Sequence, residues 1–416
     1  MIRRRLKISQ IALSMGDAPF GTSLKTKDYE VEGVPVVQGK NINGRSCDWS
    51  DMRFVSDEKF SSLPRSHVRV GDLVFPKVGT IGKVGILTSF KDHNKYLLST
   101  NTMKLEVDPE IANHDYVYYY FSSRSIRNYI NQISSKSVQP VFNFTSLRNF
   151  EILLPPLLEQ HRIAEILGAL DDKIELNLEM NKTLEEMAML LYKRWFVDFE
   201  FPNEEGKPYK SSGGEFVDSE LGMIPKGWKS LKLPALSINH NKLRQPLSSR
   251  ERVTRGGKYP YYGATGILDH IDEYRFDGTY LLVAEDGTVK TVRNTPYTQY
   301  IQGRFWVSNH AHVLTGNEGY STEYINLALS SKDVGPYITG AVQPKLNKGN
   351  LNSMSFAVSQ KYSTRLHVAV KPLFDLILNN QAENIQLERL RNLLLPKLIS
   401  GEIQVKDAEN QVKDVL

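Results

Sequence analysis

The chain has 416 residues, 40% hydrophobic and 24% charged, with a net charge of +5 and a single cysteine, Cys47. That length suits two or three domains with real cores, and the composition excludes a globally disordered chain. One cysteine excludes disulfides and cysteine-rich zinc sites and suits a reducing cytoplasm, and no run of about 18 apolar residues offers a helical membrane span.

The charge is unevenly placed. Residues 1–155 carry +6, 156–200 carry −5, 201–222 carry −3, 223–371 carry +9 and 372–416 carry −2. A polyanion would therefore meet two separate positive surfaces, unless the pattern is a chance scatter of a few charges per block.

The opening "MIRRRLKISQ" is basic but lacks a following apolar core, so a secretory signal is not expected there. The first block, 1–155, reads as strands and loops with some helix. "GDLVFPKVGTIGKVGIL" (Gly71–Leu87) has short apolar runs broken by glycines. Its "GTIGKVG" lacks the glycine five residues before Gly82, and Val84 stands where a phosphate loop has Ser or Thr, so its glycines are expected to form tight turns. "NHDYVYYYFSSRSIRNYI" (Asn113–Ile130) reads as helix, and "SVQPVFNFTSL" (Ser137–Leu147) follows it.

After "LPP" (Leu154–Pro156) a long helix is expected over 156–200. Alternating steps of four and three from Ile163 reach Leu167, Leu170, Ile174, Asn177, Asn181, Leu184, Ala188, Leu191 and Trp195, a heptad seam with two polar positions in the middle. Residues 201–222, rich in Gly, Ser and acids, read as an exposed linker.

The second block, 223–365, opens much as the first does, "LKLPALSI" (Leu231–Ile238) against "LKISQIAL" (Leu6–Leu13). "GTYLLVAEDGTVKTV" (Gly278–Val292) sets Asp-Gly between two short β-type runs and predicts a hairpin turn. "STEYINLALSS" (Ser321–Ser331) stands where the helix of the first block stood. "AVQPKLNKGNL" (Ala341–Leu351) repeats the Gln-Pro stretch at an offset of 204 residues. A second seam, in a helix expected over 366–400, runs Leu366, Val370, Leu373, Ile377, Asn380, Asn384, Leu387, Arg391, Leu394 and Leu398. Pro372 and Pro396 weaken it, unless Pro372 marks its first turn. A tail, 401–416, follows.

The architecture is thus block, helix, block, helix, one unit used twice. The central asparagines match in either helix direction. Antiparallel pairing is expected because it needs only neighbouring entry and exit points for each block. The other account is two unrelated amphipathic helices, each packed on its own domain.

No catalytic set emerges. The one Pro-Pro, in "LLPPLL", has no acid or amide before it, as adenine methylation would need. Glu285, Asp286 and Lys290 are residue types of a metal nuclease, but the Asp-Gly hairpin explains the same letters. His310 and His312 without a third ligand read as packing or hydrogen-bonding groups. No metal and no cofactor are expected.

Several stretches together resemble the specificity subunit of Type I restriction-modification systems (HsdS): "VVQGKNING" (Val36–Gly44), "ILLPPLLEQHRIAEILGALDDKIELN" (Ile152–Asn177), "IPKGW" (Ile224–Trp228), "YPYYGATGILDHIDEYRFDGTYLLVAEDG" (Tyr259–Gly287), "GRFWVSNHAHVL" (Gly303–Leu314) and "GAVQPKLNKGNLNSM" (Gly340–Met354). The resemblance covers nearly the whole chain. It implies an α+β fold with two repeated mixed α/β target recognition domains joined by two long helices in an antiparallel coiled-coil spacer. It also implies a non-catalytic, DNA-binding subunit in which each domain reads half of a bipartite target in double-stranded DNA. The helices would set the gap and dock two adenine methyltransferase subunits, with restriction (translocase) subunits joining the complex. "AVSQKYSTRLHVAV" (Ala357–Val370) departs from its counterpart before the first helix: it keeps Arg162 as Arg365 but lacks the Pro-Pro and Glu-Gln. That puts equal docking of both methyltransferases in doubt.

Charge, loop placement and repeat position select DNA contacts at Lys40, Asn41, Arg45, Lys77 and Lys83 in the first block. In the second they select Lys242, Arg244, Lys258, Lys290 and Arg293, with solvated surface charge as the competing account. Gln139, Asn143, Gln343 and Asn347 either touch DNA or build a turn at each block's exit. A self-contained DNA-modifying enzyme, a DNA-independent coiled-coil scaffold and a two-headed transcription regulator are the alternatives. Methyl-donor labelling would detect the first, lack of salt-sensitive DNA binding the second, and a helix-turn-helix would mark the third.

Overall fold

In both halves the strand that opens the block pairs with the strand that leads into a long helix. Arg4–Lys7 runs antiparallel to Glu151–Leu154, with Leu6 opposite Ile152, and Lys229–Lys232 runs antiparallel to Ser355–Val358, with Leu231 opposite Phe356. The computed structural model describes residues 3–19, 21, 23–134, 141–340 and 342–413. They form two units, Met1–Glu175 with Asn384–Leu416, and Leu176–Glu383.

In unit 1 an antiparallel sheet takes the order Ala12–Asp17, Thr102–Val107, Leu73–Pro76, Gly85–Ile86. A second sheet orders Arg53–Val55, Val34–Val37, Tyr96–Leu98 and His67–Val68. Unit 2 has one larger sheet: Ser237–Asn239, Ala311–Gly316, Phe276–Ala284, Thr298–Val307, Gly256–Tyr262, Ile267–Ile271. Of the glycine-bounded apolar runs in the first block, Leu73–Pro76 is an interior strand buried along its whole length, and Gly85–Ile86 is the edge strand beside it. Helices His114–Ser122 and Thr322–Ser330 start on equivalent caps, Asn113 and Ser321, whose side chains accept from the amides of Tyr116 and Tyr324.

The Asp-Gly hairpin is not formed. Phe276–Ala284 pairs instead with Thr298–Val307, and Gly287, at φ +81°, lies early in the intervening loop. The reason is competition for backbone groups: the Gly287 amide donates to the Pro344 carbonyl, and the Leu346 amide to that of Glu285.

The long helices are Leu157–Tyr192, continued by a π-helical turn at Lys193–Val197, and Gln360–Ser400. The second runs through both prolines. Pro372 and Pro396 are exposed, so the carbonyls that lose a partner lie on the solvent side, where water can serve them. The helices are antiparallel in each unit. In unit 1 Arg391 pairs with Asp171, and Asn384 Nδ2 donates to the Ile174 carbonyl. In unit 2 Asn380 Nδ2 donates to Asn181 Oδ1 at 2.8 Å, and Asn177 Nδ2 to Glu383 Oε2 at 2.7 Å.

Seam residues are shared with the block cores rather than reserved for the helix pair. Ile163, Leu167, Leu170, Ile174, Leu387 and Leu394 join Tyr116, Tyr119 and Phe121 in one apolar cluster of unit 1. Leu366 and Val370 join Tyr324 and Leu327 in unit 2, with Leu191 and Leu373 packed against that cluster. Ile377 is buried, and Leu184 is half-buried. Residues 201–222 are largely exposed yet anchored: Phe201 stacks on Tyr209 and Trp228, and Glu200 accepts from Ser211.

Candidate nucleic-acid interface

The central strand of each unit ends in a loop held down by the repeated Gln-Pro stretch. In unit 1 the Phe142 amide donates to the Lys77 carbonyl at 3.1 Å; in unit 2 its repeat counterpart, Leu346, donates to the Glu285 carbonyl at 2.9 Å. Asn143 and Asn347 cap the short helices Phe144–Asn149 and Lys348–Ser353, their side chains accepting from Ser146 and Asn350. These two asparagines are thus committed to local structure. Gln139 lies outside the described residues. Gln343 is exposed near the tip of a loop closed by paired bonds between Thr339 and Lys345. Gly340, at φ +88°, makes that tip possible, since a Cβ there would meet the Gln343 carbonyl oxygen at 2.4 Å.

A charge pair braces each loop, with reversed sign. In unit 1 Lys77 Nζ meets Asp17 at 2.6 Å. In unit 2 the residue after the strand is Glu285, and Arg244 Nη1 meets it at 2.9 Å while donating to the carbonyls of Asn309 and Ala311. Lys77 and Arg244 therefore act as braces. Asn41 is buried, its Oδ1 accepting from the Gln38 amide and its Nδ2 donating to the Asp48 carbonyl. Lys83 donates to the Ile42 carbonyl, and Lys40 pairs with Asp51. Arg45 turns onto the first long helix, meeting Asp172 at 2.5 Å. Of the contacts expected in unit 2, Lys242, Lys258, Lys290 and Arg293 lie on open surface; Lys258 lies over the Tyr259 ring and Lys290 donates to Asn294.

The structure also gathers groups that spacing did not link. Asp286 sits between Lys345, at 3.1 Å, and His310, at 3.3 Å. His312 is fully buried, its Nε2 donating to the Leu346 carbonyl and its Nδ1 accepting from Asn241. Burial pushes its pKa below the ordinary histidine value, which matches this neutral tautomer. Arg255 and Arg275 flank the buried Trp306, at 5.1 and 4.8 Å from its ring. Interleaved cations and aromatics in "SRERVTRGGKYPYY" were the available signal for this face. Among the described residues no group of three or more His, Cys, Asp or Glu is placed to hold a metal ion, and no helix is long and apolar enough to cross a membrane.

Two like units, each a strapped sheet loop on half of an antiparallel helix pair, define a duplicated recognition protein. The family described as Type I restriction modification DNA specificity domain matches the chain twice, over residues 18–186 and 225–389. The chain belongs to that family. It is 27% identical to the Type I restriction enzyme MjaIX specificity subunit of Methanocaldococcus jannaschii, over 92% of this chain and 93% of that protein. It is 23% identical to the HindI specificity subunit of Haemophilus influenzae, over 81% and 87%. The crystal structure of a Type I restriction-modification S subunit from M. genitalium shares the fold, with a TM-score of 0.55 at 15% identity over 96% of each chain.

Proposed function

We propose that this chain is the DNA-recognition subunit of a cytoplasmic Type I restriction-modification complex. Each unit reads one half of a bipartite target in double-stranded DNA, the helices set the gap, and the chain performs no catalytic step. Two adenine methyltransferase subunits dock on it, and restriction subunits complete the assembly. The duplication carries this reading: the same strap, at Phe142 and Leu346, holds the same loop in both units. The proposed block boundaries are those of the repeat, 1–155 and 223–365, with the helical segments, the 201–222 linker and the tail between and after them.

Lys40, Lys83, Lys242, Lys258, Lys290, Arg293 and Gln343 are the proposed DNA contacts, the lysines and arginine on phosphates and the amide on a base edge. Lys77, Asn41, Arg244, Asn143 and Asn347 shape the loops that carry them. A seam of about 50 Å holds the two reading domains roughly one to one and a half turns of DNA apart, which leaves a gap of around 5–8 base pairs once the short half-sites themselves are subtracted. Exposed Leu176, Leu178, Met187 and Leu190 on the first helix, and Leu376, Ile385 and Leu393 on the second, suit helical partners. The Glu-Gln pair missing before the second helix has work inside unit 1: Gln160 accepts from the Asn113 amide and donates to Pro155, and Glu159 faces Arg3. The pair therefore serves the packing of unit 1, and its absence before the second helix is no sign of a lost docking contact.

The test is to co-express the chain with a methyltransferase partner and map modified adenines. A bipartite target with one fixed gap is expected. Exchanging residues 223–365 for another family member's block should change one half-site only. Removing one heptad between Lys173 and Leu184, with the facing heptad of the second helix, should change the gap; an unchanged gap would sink the spacer role.

A further inference from the structure

Arg45 was expected at the DNA, but its surroundings point elsewhere. It lies in the two-residue turn of the hairpin Ile42–Asn43/Ser46–Cys47, after Gly44 at φ +68°. Its Nη1 reaches Asp172 at 2.5 Å and the Gly168 carbonyl at 3.3 Å, and its Nε, without a hydrogen-bond partner, faces Asp115 at 4.0 Å. Gly168 is the one glycine of the first long helix, and a Cβ there would lie 3.7 Å from the guanidinium. The hairpin is also tied to the strapped loop: the Ile42 carbonyl accepts from Lys83 Nζ at 3.2 Å, and the Gly44 carbonyl from the Ile86 amide at 3.1 Å. One side chain thus connects the helix to the loop proposed to meet DNA.

Unit 2 solves the same problem differently. Its helix His114–Ser122 counterpart, Thr322–Ser330, holds Glu323, which accepts from Tyr300 at 2.6 Å and lies 3.4 Å from His367 of the second long helix. Beside it a cleft of about 800 Å³ stays open between Met189, Phe374, Tyr297 and Ile267. The counterpart cavity of unit 1 is about 250 Å³ and is edged by Asp171 and Arg391.

We propose that Arg45 is a positioning residue: by bolting the hairpin to Asp172 and Gly168 it fixes the angle of the first recognition domain on its helices, and thereby the gap length accepted, without reading bases. This rests on the bipartite reading above. The experiment uses the full chain with its methyltransferase, wild type against R45Q, R45K and D172N, on a library in which half-site bases and gap length both vary. Asp172 is mostly exposed, so D172N tests the same bond from the helix side even where R45Q folds poorly. In R45Q and D172N the discrimination against gaps one base pair too long or short should fall about tenfold, as for loss of one charge-assisted hydrogen bond. Half-site bases and salt dependence should stay unchanged, and R45K should fall between. Wild-type gap discrimination in folded D172N overturns the proposal. So does an altered first half-site, or a salt slope lowered by about 0.9 in R45Q, which would make Arg45 a DNA contact. If the wild type shows no bipartite target, the functional reading itself fails, whatever Arg45 does.

Discussion

Replacing Asn181 and Asn380 singly and together isolates one polar contact in the helix seam. Both are buried in unit 2, 7% and 5% exposed, and Asn380 donates to Asn181 at 2.8 Å. Asn181→Leu removes the acceptor and leaves the Asn380 amide facing an apolar side chain, which costs about 1–3 kcal/mol for a buried group without its partner. Asn380→Leu does the converse. The double variant removes both polar groups, so it should be at least as stable as wild type and about 1–3 kcal/mol more stable than either single variant. Urea denaturation followed by circular dichroism, arranged as a double-mutant cycle, measures the coupling. Additive losses, with the double variant as unstable as the two singles summed, would refute the reasoning. Leucine at all four seam asparagines, Asn177 and Asn384 included, should hold stability yet admit other helix registers. Crosslinking that still traps one register would rule out the asparagines as its cause.

Lys104 and Asp72 form a buried pair at 3.0 Å in unit 1; Lys104→Met should cost about 3–5 kcal/mol by melting, and K104M with D72L should recover most of it. His312 is held neutral by burial, which keeps its pKa below the ordinary histidine value of about 6.5. Protons therefore favour the unfolded chain, so the stability His312 confers is present above that value and is lost as pH falls towards the lower folded pKa. Denaturation midpoints from about pH 7.5 to 5 should fall in wild type and flatten in a His312→Gln variant. Alanine at Lys242, Lys258, Lys290 or Arg293 should weaken binding to all DNA sequences alike and lower the salt slope by about 0.9 each, read by titration at several salt concentrations. Arg244→Ala should instead destabilise unit 2, because it strips Glu285 of its brace.

The duplication was legible because it is written in local patterns. The two seams, the doubled asparagines and the two Gln-Pro stretches recur at offsets of 203–204 residues, and heptad periodicity needs no knowledge of distant contacts. The antiparallel direction followed from connectivity. The extent of the second helix did not: prolines disfavour a helix locally, and whether Pro372 and Pro396 are tolerated depends on which face of the finished helix they occupy. The Asp-Gly turn failed for a related reason. Its backbone groups had a stronger claim on them from Pro344 and Leu346, about sixty residues away in sequence.

Individual site residues were the least legible part. A basic side chain looks the same in sequence whether it braces a loop or waits for a phosphate. Lys77 and Lys290 both lie in the loop that follows a buried strand, yet Lys77 meets Asp17 whereas Lys290 stays on open surface. The sequence by itself determined the repeat, its helices and its family, because these rest on periodicity and on residues near each other in the chain. Only the tertiary structure decided which cations are spent internally, with Arg45 on Asp172 and Arg244 on Glu285. Ion pairs join residues 41 to 127 positions apart, and no local pattern reports a partner at that range.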